Sequence, residues 1–436
     1  MPFSSAVGTV AVPTVPGEYS VTGLTFTPKI VMLFYSGQGA AGAGINLGVG
    51  FGAATSTTSR FAVWAVDSDA SASSSSGRYH TNAKIHLGTD AVPTVTLFSD
   101  FVSFNSDGFT LNLEDADGTA RILNYIALGG STLTNVAIKE FTTPGTGAQT
   151  VAYTGVGFQP DAIMFFSVFG TGAPPAGVGT CWFSAGFSSA TNANGVVNVR
   201  SDDNEGAGDT SHGQSAAAVL LAQNPTGTVE QKASVSAFGS DGFSLTYTAS
   251  AFAGYVWAIC LKGGNYKVGE ITQKTSTGTQ AYTGVGFKPS AVMLLSTNDA
   301  SNSDSEAQNK ISIGAASSAL QQASIWGGAV DAVDPTQVDQ YQDATSVIRM
   351  MTAGTPTTEA VATFVSKQND GFTLDWTTAD ATARTIEYLA FGPDQGGGAG
   401  GPGSGKPRPP GGRPPGGGGS LTGPVLKKLR FPEKVI

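Results

Sequence analysis

The chain has 436 residues, of which 59 are Gly and only 13% are charged. Gly, β-branched and hydroxyl side chains all lower helix propensity, so this composition excludes a protein built on long helices and favours short strands joined by turns. The net charge of −9 is unevenly divided: residues 395–436 hold seven basic and one acidic side chain, leaving 16 basic and 31 acidic elsewhere. An acidic body repels nucleic acid and anionic membranes, so neither is expected as a partner.

Membrane insertion and classical export are also not expected. No apolar stretch approaches the roughly 20 residues that a membrane span requires. The first residues, MPFSS, lack the basic and apolar regions of a signal peptide. We therefore expect a soluble protein that carries no classical export signal.

The first predicted element of each of three copies is a strand that follows a Gly-rich turn ending in Pro. The turn reads YTGVGFQP at 153–160 and YTGVGFKP at 282–289, with a looser version at 19–28. Apolar runs follow at 29–35, 161–166 and 290–295. Short unbroken apolar runs bounded by turn residues are typical of strands buried on both faces.

The middle of each copy alternates strand-like segments with polar tracts. In the first copy the alternating segments fall at 61–66, 84–87 and 95–98. The most variable tracts between copies are polar and small, at 67–80, 201–212 and 300–309. We expect these tracts to be flexible loops that contact a partner, because variable loops on a constant scaffold commonly do so.

The final part of each copy begins with Asp-Gly-Phe, at Asp107, Asp241 and Asp370. Asp-Gly is a tight-turn pair, and the residues after it alternate apolar and polar, which predicts a strand with one wet face. Closing apolar runs follow and should pair antiparallel with it, at 122–128, 256–261 and 385–391. The recurrence of the three Asp residues suggests catalysis, but the turn that Asp-Gly makes explains them structurally.

The spacing of the copies is that of a domain. Phe26 precedes Phe158 by 132 residues, and Phe158 precedes Phe287 by 129. The sequence therefore predicts an all-β fold of three tandem antiparallel β-sandwich domains of jelly-roll type, at residues 1–130, 131–264 and 265–393. An enzyme seldom needs its site in triplicate, whereas a building block or a multivalent binder gains from repetition.

An extended C-terminal tail is predicted beyond the repeats. Residues 394–420 are almost wholly Gly and Pro and should form a solvated linker. Residues 421–436 mix apolar and basic side chains, which suggests a peptide that attaches the chain to a partner by strand addition or groove binding. Its predicted partner-binding residues are Val425, Leu426, Lys427, Lys428, Leu429, Arg430 and Phe431. The alternative is a frayed terminus without a role.

Residues capable of metal or cofactor chemistry are few. The chain has three His, at 80, 86 and 212, and none has metal-type spacing, so we interpret them as surface residues and predict neither metal nor cofactor. Acidic clusters at 115–117, 202–205 and 299–306 could bind Ca²⁺, although a solvated acidic surface explains them better. Cys181 and Cys260 both lie in the second copy, where buried free thiols are favoured over a disulfide.

Two further groups of side chains invite a functional interpretation. Arg121 and Arg384 share an Ala-Arg context for which the second copy has Tyr255, and this favours packing over chemistry. Carbohydrate stacking would require exposed aromatic side chains, and five are candidates: Trp64, Trp182, Trp257, Trp326 and Tyr79. The alternative is that these rings belong to the cores.

The combined motifs resemble repeats of structural proteins in tailed-bacteriophage virions, of the minor tail, fibre or head-decoration type. The resemblance is carried by GFQPDAIMFF at 157–166, DGFTLDW at 370–376 and ADATARTIEYLAFG at 379–392, and it covers all three copies. It implies a solvent-exposed virion component that is assembled in the host cytoplasm. The tail from residue 395 has no part in it.

The function expected from these observations is that of a non-enzymatic virion protein in the tail or a fibre, contributing to host adsorption and docked through its C-terminal peptide. Expected partners are other virion proteins, further copies of the chain and a host surface glycan or protein. Two alternatives remain open: a head-decoration protein, and a carbohydrate-binding module or glycan-degrading enzyme.

Overall fold

The computed structural model describes residues 2–89, 95–191 and 193–393, and these residues contain strands but no helix. A helix long and apolar enough to cross a membrane is therefore not found in the described ranges. All strand pairs are antiparallel, and the sheets stack as sandwiches. The predicted all-β fold is confirmed.

Each repeat contributes eleven strands within the described residues, in the same order. The first repeat comprises β1 (Phe3–Ala11), β2 (Gly17–Val21), β3 (Pro28–Tyr35), β4 (Gly42–Ile45), β5 (Leu47–Ala54), β6 (Arg60–Asp67), β7 (Ser76–Thr81), β8 (His86–Thr89), β9 (Val95–Asn105), β10 (Gly108–Asp115) and β11 (Ile122–Gly130). The second comprises β12 (Asn135–Thr142), β13 (Gln149–Thr154), β14 (Ala162–Ser167), β15 (Ala176–Gly179), β16 (Cys181–Ala190), β17 (Ala193–Ser201), β18 (Thr210–Ser215), β19 (Leu220–Gln223), β20 (Val229–Gly239), β21 (Gly242–Ser250) and β22 (Tyr255–Lys262). The third comprises β23 (Asn265–Thr272), β24 (Gly278–Thr283), β25 (Ala291–Ser296), β26 (Ser303–Ala307), β27 (Asn309–Ser318), β28 (Gln321–Ala329), β29 (Val338–Asp343), β30 (Ile348–Met351), β31 (Thr358–Gln368), β32 (Gly371–Thr378) and β33 (Thr385–Gly392).

Every repeat folds as a four-stranded sheet on a seven-stranded sheet. In the first repeat the smaller sheet has the order β2-β10-β9-β8, and the larger one has β1-β11-β3-β5-β6-β7 followed by a strand from another repeat. Residues 30–35 of β3 are fully buried, and they alternate between two cores. Leu33 faces the core inside the sandwich, whereas Met32 and Phe34 face away from it. The prediction of a strand buried on both faces is confirmed, and the second face needs a partner.

The seventh strand of each large sheet comes from a neighbouring repeat. β15 of the second repeat pairs with β7 of the first, β26 of the third pairs with β18 of the second, and β4 of the first pairs with β29 of the third. Each repeat thus gives one strand and receives one, and the exchange closes into a ring. Residues 1–395 form one compact unit that is not divided at 130/131 or 264/265. The predicted domain bounds therefore stay predictions.

A shared core joins the outer faces of the three large sheets. It contains apolar side chains from all three repeats, including Phe51, Phe166 and Met293. The rings of Phe51 and Phe166 stack with centroids 3.5 Å apart, and those of Phe61 and Trp257 stack at 5.5 Å. Burial of apolar surface stabilises a fold by about 25 cal/mol per Å², so this core binds the repeats to one another.

The three joints between repeats differ at one equivalent position. The strand register aligns Asn124 of β11 with Trp257 of β22 and Glu387 of β33. Opposite Trp257 stands Phe61, whereas opposite Glu387 stands Gly195, where a Cβ would lie 2.6 Å from Oε2 of Glu387. The joint at Trp257 therefore pairs two rings, whereas the joint at Glu387 places a carboxylate beside a Gly.

The two Cys are buried and free, as the sequence predicts. Burial raises the pKa of both thiols, so neither is activated as a thiolate.

Candidate functional site

The predicted C-terminal anchor lies outside the described residues. This applies to Val425, Leu426, Lys427, Lys428, Leu429, Arg430 and Phe431, and to the linker at 394–420. Their role as a partner-binding segment stays a prediction.

The repeated Asp residues bind the repeated Gly-rich turns. Asp241 accepts hydrogen bonds from the backbone N–H of Gly155 at Oδ2 (3.0 Å) and of Gly157 at Oδ1 (2.6 Å). Asp370 accepts the same two bonds in the third repeat, at 3.1 and 2.5 Å. In the looser first copy, Asp107 accepts one from Gly23 at 3.2 Å. The two sequence signatures are thus the two halves of one structural clamp.

The residue after each of these Asp side chains has to be Gly, because the backbone of a neighbouring strand lies too close for a Cβ. Gly242 has φ +148°, and a Cβ on it would lie 2.0 Å from the carbonyl oxygen of Tyr153. Gly371 has φ +149°, with the oxygen of Tyr282 at 1.9 Å from such a Cβ. No larger residue fits at that distance, so the Asp-Gly pair serves the fold.

The prediction of surface histidines is wrong, because all three are buried. His80 packs on Trp257 at the joint between the first two repeats, its Nε2 lying 3.0 Å from the oxygen of Gly172. Burial lowers the pKa of His80 to about 4 and that of His86 to about 3, so both are neutral near pH 7. The burial of these histidines could not be predicted from the sequence, because some of the residues that cover them belong to another repeat.

His212 makes a polar contact between the second and third repeats. Its Nε2 lies 2.7 Å from Oδ2 of Asp299, and its Nδ1 lies 2.8 Å from the carbonyl oxygen of Gln308. Asp299 also accepts a hydrogen bond from Thr297 and lies 3.5 Å from Nζ of Lys310. Both ring nitrogens are occupied by the protein, which is the arrangement of a structural bridge.

The tracts predicted as flexible, partner-contacting loops lie partly in loops that contact one another, and their contact with a partner stays a prediction. We call residues 68–75, 202–209 and 330–337 the collar; they connect the equivalent strands β6–β7, β17–β18 and β28–β29. The backbone of Asn204 donates to Ser74, that of Ala70 to Thr336, and that of Ala332 to Gly208. The first two predicted tracts fall largely in the collar, but the third, 300–309, was misassigned because it contains the exchanged strand β26.

The collar region is rich in carboxylates. Burial, together with the neighbouring Asp203 and Asp69, raises the pKa of Asp67 to about 7. The pKa values of Asp209 and Asp339 are also raised by burial and by nearby carboxylates. Within the described ranges, no group of three or more His, Cys, Asp or Glu is arranged to hold a metal ion.

Most of the predicted aromatic stacking platforms are packed inside the protein. Trp257 and Trp326 are 1% exposed. Trp182 is covered by two guanidinium groups, those of Arg200 at 4.4 Å and Arg78 at 5.3 Å. Tyr79 is half-buried. Trp64 differs from the others because it lines the cavity described next.

A cavity of about 350 Å³ opens in the first repeat between its two sheets. Trp64 and Tyr35 stack on one side with centroids 5.5 Å apart, and Val66, Leu87 and Leu97 are among the apolar lining residues. Gln340 reaches the cavity from the third repeat. The site therefore depends on both the sandwich and the ring.

Charged groups at the cavity are paired with each other. Arg121 donates from Nε to Oδ2 of Asp117 at 3.1 Å and from Nη1 to the carbonyl oxygen of Gly37. Burial also raises the pKa of Tyr35, whose hydroxyl accepts a hydrogen bond from the N–H of Leu87. The cavity thus presents a compensated ion pair and no isolated charge.

Two residues of the cavity lining carry polar side-chain atoms that are buried from solvent and have no hydrogen-bond partner among the described residues. The atoms are Nε1 of Trp64, a donor, and Oε1 of Gln340, an acceptor. Trp64 is only 4% exposed. A buried polar group without a partner costs about 1–3 kcal/mol, so such atoms call for an explanation.

The cavity borders two Gly residues at positions where the second repeat has large side chains. The ring of Trp64 takes up the space beside them, since a Cβ would lie 2.9 Å from its Cη2 at Gly37 and 2.5 Å from it at Gly48. Gly37 is the second residue after β3, and the equivalent residues after β14 and β25 are Phe169 and Asn298. All three have positive φ, at 75°, 49° and 67°. Gly48 is the second residue of β5, where β16 has Trp182.

The second repeat fills the equivalent space with a ring cluster. Phe169 and Trp182 pack at 5.3 Å, and Phe252 covers both. The third repeat keeps the polar contacts of the first, since Arg384 donates to the carbonyl oxygen of Asn298 and pairs with Asp380 as Arg121 does with Gly37 and Asp117. It differs in having the Asn298 side chain at the Gly37 position and Met350 at the Gly88 position. The cavity is a property of the first copy.

Arg384 itself corrects one alignment. The register of the closing strands aligns Arg121 and Arg384 with Gly254, not with Tyr255 as the sequence suggested. The open position in the second copy is what leaves room for Phe252 and Phe169, since Gly254 lies against both. Predicting the cavity from the sequence would have required the correct alignment of the closing strands of the three repeats.

Comparison with known proteins adds no relative: no protein-family model matches the chain, and no curated protein matches it.

Proposed function

We propose that this chain is a non-enzymatic structural protein of a tailed-phage virion, exposed on the particle and attached to it through residues 421–436. The observation that carries the proposal is the ring closed by the three exchanged strands β4, β15 and β26. It makes one chain the counterpart of a closed trimer, and closed symmetric units are what virus particles are built from.

A structural role is supported by the residues that the repeats share. Asp241 and Asp370 hold the Gly-rich turns, and His212 bridges two repeats. The contacts of the two Asp residues explain why they recur, and the contacts of His212 explain why it is buried. Folding accounts for all three without a catalytic role. We therefore propose that purified protein turns over neither polysaccharide nor peptide substrates.

The leading assignment within the virion is a tail or fibre component that contributes to host adsorption. The collar joins three equivalent loops of different sequence on one compact unit. Several weak contacts made by such a unit, or by several copies of it, multiply into strong attachment. Proposed partners are other virion proteins and a glycan or protein of the host surface.

A head-decoration protein is the second candidate, and the closed ring itself favours it. Three related repeats in a ring match the local threefold positions of a capsid lattice. Copy number separates the two assignments, because a lattice position recurs hundreds of times in a particle and a tail position only a few times.

The test is quantitative mass spectrometry of purified particles of the phage that encodes the chain, with labelled peptides as standards. A few copies per particle support the tail assignment, and hundreds support the head. Absence from the particles overturns the proposal. A chain without 421–436 should stay folded but fail to join particles, whereas a chain with 394–420 replaced by an equally long Gly-Ser linker should join normally.

A further inference from the structure

We propose that His212 is a proton-dependent switch at the joint between the second and third repeats. With a proton on both ring nitrogens it holds both ends of the exchanged segment 299–308, and with a proton on one nitrogen it holds only one end. This inference does not rest on the virion role.

His212 lies buried where the second repeat receives a strand from the third. It is the third residue of β18, the strand that pairs with β26. Its Nε2 lies 2.7 Å from Oδ2 of Asp299, which precedes β26, and its Nδ1 lies 2.8 Å from the carbonyl oxygen of Gln308, which follows β26. One side chain therefore contacts the exchanged segment on both sides of its strand.

Both contacts require an N–H on the ring. A carbonyl oxygen only accepts hydrogen bonds, and so does an ionised carboxylate. Burial raises the pKa of Asp299, but the hydrogen bond from His212 and the charges of His212 and Lys310 outweigh burial and hold that pKa below its usual value. Asp299 is therefore ionised near pH 7. A neutral imidazole has one N–H and a doubly protonated imidazole has two, so only the doubly protonated ring makes both contacts.

The charges around His212 favour its second proton. Lys310 of β27 lies 3.5 Å from the other oxygen of Asp299, and Glu306 of β26 stands opposite His212 in the strand register. Asp304 of β26 is paired with a Lys of β20, and the neighbouring strand β17 places a Val opposite His212. These side chains hold three negative and two positive charges, so a positive His212 balances them.

The other two joints use donors that keep their protons near pH 7. The residues equivalent to His212 are Arg78 and Gln340, the third residues of β7 and β29. Arg78 donates to the carbonyl oxygen of Thr180 at 3.3 Å, and Gln340 donates to that of Ile45 at 3.1 Å. Burial lowers the pKa of Arg78 to about 10, which leaves it charged, and an amide does not titrate. Among these three equivalent donors, His212 alone changes its number of N–H groups near neutral pH.

NMR of the histidine rings tests the protonation in the full-length chain. Burial lowers the pKa of His80 to about 4 and that of His86 to about 3, so both rings are neutral above about pH 5.5. We expect one ring to give the ¹⁵N signals of the doubly protonated form at about pH 5.5 and to lose them as the pH rises toward about 8. The ring signal absent from His212→Gln identifies His212. Asp299→Asn should make this ring lose its second proton at a lower pH, because the stabilising negative charge is gone.

Hydrogen–deuterium exchange, corrected for its intrinsic dependence on pH, measures how firmly the segment is held. Between about pH 5.5 and 8, the protection of residues 299–308 should fall roughly tenfold or more, the range of one hydrogen bond to a charged group. Segments 42–46 and 176–180, which Gln340 and Arg78 hold, should keep their protection. His212→Gln copies the third repeat and is the matched control, in which the protection of 299–308 should no longer depend on pH. In Asp299→Asn the loss of protection should move to the same lower pH as the ring signal.

Four results would overturn the proposal. The first is a His212 ring with a single N–H at about pH 5.5. The second is a segment 299–308 that keeps its protection while the ring loses its proton, and the third is an equal loss in segments 42–46 and 176–180. The fourth is a pH dependence that persists unchanged in His212→Gln.

Discussion

Oδ1 of Asp241 lies 2.6 Å from the backbone nitrogen of Gly157, 84 residues earlier in the chain. This contact joins the start of the second repeat to its last hairpin. The same contact between Asp370 and Gly286 closes the third repeat, so one hydrogen-bonding pattern explains both recurring motifs of the sequence.

Replacing Asp241 with Ala should lower the melting temperature, because two N–H groups of the Gly-rich turn lose their acceptor. Asp241→Asn should lower it less, since one side-chain oxygen remains. Thermal unfolding followed by circular dichroism measures both, with Ser240→Ala, an exposed neighbour, as the control. Equal melting temperatures for Asp241→Ala and Ser240→Ala would contradict the clamp.

The clamp should also depend on pH. Hydrogen bonds from Gly157 and Gly155 lower the pKa of Asp241 below its usual value. A carboxyl with a lowered folded-state pKa contributes stability above its unfolded pKa of about 4 and loses it as the pH falls through the folded value. The stability difference between the original chain and Asp241→Asn should therefore shrink below about pH 4, as denaturation with guanidinium at several pH values would report.

Asp67 should have the opposite pH dependence. Its pKa is raised to about 7, so the folded state holds a proton that the unfolded state has lost. Stability is therefore full below about pH 4 and falls as the pH rises from there to about 7. Asp67→Asn should reduce the slope of unfolding free energy against pH over this range by the equivalent of one bound proton. Asp115→Asn, a substitution at an exposed position, should leave that slope unchanged.

Trp257→Ala should be among the most damaging substitutions in the chain. Its ring is 1% exposed and stacks on Phe61 of another repeat, and truncation of a buried Trp to Ala typically costs about 3–5 kcal/mol. Chemical denaturation measures the loss, and Leu320→Ala, at a position 96% exposed, should change stability by less than about 0.5 kcal/mol. A loss below about 1 kcal/mol for Trp257→Ala would argue against the shared core.

The ring can be tested by cutting it. Fragments 1–130 and 131–436, produced together, should purify as one complex, because β15 crosses to the first repeat and β4 to the third. Size-exclusion chromatography with a tag on one fragment would measure this. Two separately folded fragments that do not associate would mean that the repeats are independent domains.

Part of the fold could be predicted because it is encoded locally. The run at 29–35 and the alternation after Asp107 each indicate a strand directly. The exchanged strands could not be predicted, since two are short Gly- and Ala-rich segments, GAGI and AGVG, the third, SDSEA, is unlike them, and all are exposed or half-buried. Their pairing is fixed by the position of the neighbouring repeat, which no local signal carries.

The candidate site shows the same division. Trp64 is a candidate from its residue type, but the cavity beside it depends on how the Trp64 ring packs over Gly37 and Gly48. The two Gly residues become informative only when Phe169 and Trp182 are known to stand at the equivalent positions of the second repeat. The buried histidines were missed for a related reason, because His80 and His212 are covered across joints.

The residue at one equivalent position of the closing strands, Asn124, Trp257 or Glu387, distinguishes each repeat from the other two. A gene that lost one copy, gained a fourth or reordered the three would bring Trp257 or Glu387 against a surface shaped for a different side chain. Duplication could create such a chain, but once the joints had diverged, its copy number could no longer drift.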